Sequence, residues 1–104
     1  QKKITSDLKA EALLYLSQIS YKQRRFQESL DYAVDCINTE VEKERWVHAY
    51  AYYVGAWNSY NQKKFIEAKL FLLQIDNLED FDFRNSLENK IYTLQRLLPE
   101  ESNK

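Results

Sequence analysis

The sequence predicts an all-α fold, and three observations carry that expectation. The 104 residues contain one glycine and one proline, too few for a turn-rich β protein, whose hairpins draw on Gly and Asn-Gly turns. Apolar residues recur at helical spacing, as in Phe26, Leu30, Ala33, Val34 and Ile37. The segment Tyr21-Lys22-Gln23-Arg24-Arg25-Phe26 returns 39 residues later as Tyr60-Asn61-Gln62-Lys63-Lys64-Phe65, so two helical hairpins are copies of one unit.

Each helix follows from its own pattern. Leu13, Leu16, Ile19 and Ser20 mark the first, which breaks at Arg24-Arg25. The second resumes at Phe26. A third runs from about Glu44 to Asn61, a fourth from Phe65 to about Asp76, and a fifth from about Asp82 to Leu98, where Pro99 stops it. Short connections imply antiparallel neighbours. The fifth helix opens on Asp80 and Asp82, suited to the positive end of its dipole, and carries Phe83, Leu87, Ile91, Leu94 and Leu98 as an apolar stripe. The tail from Glu100 to Lys104 has no face to bury and is expected to fray.

Composition excludes several function classes. A net charge of −1 gives no clustered cationic excess for nucleic acid. No apolar run approaches the roughly 20 residues that span a bilayer, and no signal core is present at the start of the sequence. With Gln rather than Met at position 1, the chain is expected to be a fragment of a longer protein. Cys36, the single cysteine, cannot form an internal disulfide; this is compatible with a reducing compartment and favours the cytoplasm while leaving the location open. Cys36 and His48 lack metal-ligand spacing, so no metal or cofactor is expected. His48 reads as a surface or half-buried side chain, Cys36 as an inert buried thiol. Glu40, Glu42 and Glu44 read as a solvated acidic linker. Without a phosphate loop or catalytic triad, the chain is not expected to be an enzyme.

At the 39-residue offset Ala10 matches Ala49, Ala12 matches Ala51, Glu28 matches Glu67, and Ser29 matches Ala68. The run from Ala12 to Ile37 resembles the tetratricopeptide repeat family, whose unit is a helix-turn-helix of about 34 residues. Leu13 stands at the family's bulky position, Leu16 at its Leu, Ser17 at its Gly, Phe26 at its turn aromatic, Ser29 and Cys36 at its small positions, and Ile37 at the following Leu. Tyr52, Gly55, Ala56, Phe65, Ala68 and Ile75 take these places in the second copy, its glycine one position early. The resemblance implies two repeats, about 10–38 and 49–77, and a C-terminal capping helix at about 82–98, in one domain with a right-handed superhelical stack. Residues 39–45 form a longer link than the family's norm, and the Pro usual near a repeat's end is missing.

A candidate site comes from the third helix. At about 100° per residue, Trp46, Tyr50, Tyr53, Trp57 and Tyr60 form one stripe, with Gly55 and Ser59 opposite. The family resemblance places this stripe on the concave surface that binds peptides or partner helices. Its counterparts in the first copy are Glu11, Leu14, Tyr15, Gln18, Tyr21 and Lys22. The candidate partner-binding residues are therefore Tyr15, Gln18, Lys22, Tyr50, Tyr53, Trp57 and Tyr60, with Trp46 structural. Three readings of the stripe stay open: an exposed groove, packing under the fifth helix or another repeat, and a homodimer seam. The expected activity is binding of a protein or peptide segment by a scaffold or adaptor. The alternatives are the peptide-sensing part of a signalling or transcriptional regulator, and an oligomerisation domain. A chaperone-tail carboxylate clamp is not expected, because Gln18 and Trp57 hold its Asn positions.

Overall fold

Helices form where the apolar periodicity and its breaks place them. The computed structural model describes residues 2–78 and 81–99: α1 (Lys2–Lys22), α2 (Phe26–Ile37), α3 (Trp46–Asn61), α4 (Phe65–Asp76) and α5 (Arg84–Leu97). Among the described residues there is no strand. α3 begins two residues later than expected, after Arg45. α5 begins at Arg84 because Phe83 takes a left-handed backbone, φ 70°, which ends helical continuity on its N-terminal side. It ends at Leu97 because Leu98 is extended, ψ 139°, the conformation that a following proline imposes. Asp80 and the tail from Glu100 lie outside the described residues.

The two hairpin turns have the same geometry. Arg24 and Lys63, 39 residues apart, both lie in the left-handed region, at φ 64° and 63°. In the first turn the amide of Arg24 donates to Tyr21 O and that of Arg25 to Ser20 O; in the second, Lys63 donates to Tyr60 O and Lys64 to Ser59 O. These paired bonds close each helix end as a Schellman motif, a position where glycine is the usual residue. A cation with a Cβ is strained there. Arg24→Gly and Lys63→Gly are each expected to raise stability by about 0.5–1 kcal/mol, read as a higher urea midpoint.

Small side chains let the hairpins close. Ser29 Oγ donates to Ser17 O at 2.6 Å, and the Cys36 thiol donates to Ala10 O at 3.2 Å; all four residues are buried. The register of α1 therefore differs from expectation. Ala10, Leu14, Ser17 and Ser20 face inward, whereas Leu16 and Ile19 are 41% and 53% exposed. Close approach needs the thin side of α1, so its bulkier side turns outward. Leu14, a counterpart of the aromatic stripe, is core. Phe83 is likewise not on the buried stripe of α5; it is exposed, with its ring edge-on to Trp46 at 5.7 Å.

Two cores result. The first joins Ala10, Leu14, Ala33 and Cys36 to Val47, Ala51 and Val54 of α3. The second joins Ala49 and Ala56 of α3, Leu72 and Ile75 of α4, and Leu87, Ile91 and Leu94 of α5. Buried Asn58 stitches the hairpins together, its Nδ2 donating to Ser29 Oγ at 2.8 Å and to Val54 O at 3.0 Å. Gly55 sits against Phe71, where a Cβ would lie 3.1 Å from the ring. The residue thins α3 at that crossing and does not break it. Ala68 is fully buried in the second hairpin, and Ala68→Leu is expected to cost about 1–3 kcal/mol by overpacking, measurable as a lower thermal midpoint.

The link at 39–45 is ordered by the start of α1. Ser6 Oγ donates to Glu40 O, and the Asp7 carboxylate accepts the amides of Glu42 at 2.7 Å and Lys43 at 3.1 Å. Glu44 is not merely solvated, because its carboxylate accepts the Trp46 indole N–H.

Candidate functional site

The aromatic stripe of α3 forms a ladder of edge-on rings. Trp57 is its centre, with Tyr60 at 5.6 Å, Tyr53 at 6.4 Å and Tyr21 of α1 at 6.5 Å between centroids. Such spacing is favourable for T-shaped aromatic pairs. Asn61 Nδ2 donates both to the Tyr21 hydroxyl and to Trp57 O, at 2.9 and 2.8 Å. That bond locks the end of α3 onto α1 and fixes the ladder.

Between α1, α3 and α5 lies a groove of about 400 Å³, lined by Gln18, Tyr21 and Lys22 of α1, Tyr50, Tyr53, Val54 and Trp57 of α3, and Lys90 of α5. Five of the seven candidates from the sequence meet here: Gln18, Lys22, Tyr50, Tyr53 and Trp57. Tyr15 and Tyr60 do not line it. Tyr15 is half-exposed and donates its hydroxyl to Glu11 Oε2 at 2.8 Å. That bond, with some burial, raises the Tyr15 pKa. Tyr60 lies between Trp57 and Phe65 at the turn. Trp46 is engaged at the start of α3 with Glu44, Tyr50 and Phe83.

The rings of the groove are half-buried, because α5 packs against the same helix and closes part of the stripe. Lys90 and Val54 are the lining residues that sequence reasoning missed: α5 showed an apolar stripe but no sign of which polar residue would overhang α3, and Val54 lies off the aromatic stripe of its own helix. Lys22 and Lys90 are the charged residues of the lining, and no carboxylate is among it. Burial pushes the Tyr53 pKa up and neighbouring Tyr21 and Tyr50 add to this, against an opposing hydrogen bond from Trp57. Tyr53 is therefore a neutral phenol at physiological pH. The site offers aromatic faces, phenol hydroxyls and two cations.

A second cleft of about 420 Å³ lies between α4 and the end of α5, among Lys69, Leu72, Asp76, Gln95 and Leu98. It mixes both charges and holds no aromatic ring. His48 is half-buried, with Nε2 2.6 Å from Thr39 O. Burial raises the Cys36 pKa to about 12, so its thiolate is not accessible near neutral pH. Among the described residues no cluster of His, Cys, Asp and Glu is placed to hold a metal. No helix there is long and apolar enough to cross a membrane.

The chain matches no family model, no curated protein and no solved structure.

Proposed function

We propose that this chain is a non-enzymatic interaction module of tetratricopeptide-like architecture. It has two repeats and the capping helix α5, in a right-handed superhelical stack. It binds a protein or peptide segment in the groove between α1, α3 and α5, and so acts as a scaffold or adaptor. The observation that carries this reading is the convergence of Tyr50, Tyr53 and Trp57 with two unpaired-sign lysines, Lys22 and Lys90, on one concavity. Tyr and Trp give large contact area at low rotamer cost, as recognition surfaces require. The cations favour a segment that sets a carboxylate beside an aromatic or aliphatic anchor. The matching turn geometry of the two hairpins supports the repeat architecture.

The test is selection from a displayed peptide library, followed by titration of the selected peptides against the Trp46→Phe variant, which leaves Trp57 as the sole tryptophan. Binding should perturb Trp57 emission. Lys22→Glu with Lys90→Glu, both at exposed residues, should weaken acidic ligands at least about tenfold without changing the melting temperature. Ligands whose affinity ignores both substitutions and leaves Trp57 emission unchanged would place recognition elsewhere.

A further inference from the structure

The two hairpins are equivalent in sequence but not in what covers them. Leu8, Ala12, Leu16 and Ile19 of α1 are the counterparts, 39 residues earlier, of Val47, Ala51, Gly55 and Asn58 of α3. All four α3 residues are buried. Val47 and Ala51 rest on Ala10, Leu14, Ala33 and Cys36 of the first hairpin, and Asn58 bonds to its Ser29. On α1 the same positions are open: Leu8 is 58%, Leu16 41% and Ile19 53% exposed, and Ala12 is exposed too. At about 100° per residue these four fall on one uncharged stripe, on the side of α1 away from its own core.

The molecule itself thus displays what fits such a face. In the second unit the occupant is an antiparallel helical hairpin whose seat is mostly small side chains, Ala10, Ser29, Ala33 and Cys36, around Leu14. The equivalent seat on the second hairpin, at Ala49, Leu72 and Ile75, is closed by Leu87, Ile91 and Leu94 of α5. A second copy of the chain therefore has no free seat to offer head to tail. Ile19 replaces Asn58, so the occupant needs no hydroxyl such as that of Ser29.

We propose that the open α1 stripe is a second interaction surface, separate from the aromatic groove, whose occupant is a partner's antiparallel helical hairpin with mostly small, uncharged side chains at its seat. It docks as the first hairpin docks against α3.

The experiment inserts a second copy of residues 7–45 between Ser6 and Asp7 of the full chain, which preserves the 39-residue spacing. In the inserted copy the residues equivalent to Ser29 and Cys36 are made alanine. Ala12→Cys in the original α1 then reports coverage by its maleimide-labelling rate, since Cys36 is buried. Labelling should slow at least about tenfold in the extended chain relative to the unextended one, and Leu16→Glu should restore it. Equal rates with and without the inserted hairpin would overturn the proposal. So would concentration-dependent dimerisation of the unaltered chain that Leu16→Glu disperses, because the face would then belong to a second copy.

Discussion

Leu94→Ala is expected to lower stability by about 2–5 kcal/mol, the usual range for emptying a fully buried leucine site, and to act mainly by releasing α5. Leu94 has no exposed surface, and with Leu87 and Ile91 it supplies the buried side chains of α5. The rest of that helix is largely exposed, Tyr92 and Leu97 included. α5 belongs to neither hairpin, so its attachment depends on this one stripe and on the second core it completes. Units held by few buried contacts open below the global unfolding energy. Amides of α5 should lose hydrogen-exchange protection first, while those of α1 and α2, built on the other core, keep theirs. Trp57 emission should shift to the red as its cover leaves. The groove would also lose its Lys90 wall, so acidic ligands should weaken although every lining residue is intact. A single transition, with all amides losing protection together, would show instead that α5 is inseparable from the hairpins.

The helix pattern was legible because each signal is local. The Arg24-Arg25 and Lys63-Lys64 breaks, the scarcity of glycine and the 39-residue copy needed no knowledge of what packs where. The aromatic ladder was legible for the same reason, since the 4, 3, 4, 3 spacing from Trp46 to Tyr60 is a property of one helix. What failed were statements about facing. Leu16 and Ile19 look like core by hydropathy, but hairpin closure selects the smaller residues Ala10, Ser17 and Ser20, and only Ser29 and Cys36 of the facing helix α2 reveal that choice. Phe83 fits the spacing of the α5 stripe, yet its left-handed backbone removes it from the helix. Lys90 enters the groove through the docking angle of α5, which no local pattern encodes. Tyr15 sits at helical spacing with the groove residues but is drawn to Glu11 on its own helix.

The least visible feature in the sequence is Asp7, and its removal should have the second large effect. No local pattern in α1 singles out Asp7, yet it is 7% exposed and holds the inter-hairpin link. Burial works against its charge, but the amides of Glu42, Lys43 and Glu44, with the Lys43 cation, outweigh it and leave its pKa below the ordinary 3.8. Asp7→Ala would leave those link amides without their acceptor, at a cost of about 1–3 kcal/mol. Asp7→Asn keeps one acceptor oxygen and should cost less. The pH dependence distinguishes this role from simple packing. With the folded pKa depressed, the unfolded chain takes up the proton first, so the contribution of Asp7 is full above the unfolded value. It declines as pH falls below about 5 and is gone once pH passes the folded pKa. Urea midpoints of the unaltered chain and Asp7→Asn should therefore differ most at neutral pH and converge in acid. Parallel curves across that range would mean that the carboxylate charge does not hold the link, and that Asp7 matters only for the space it fills between α1 and residues 42–44.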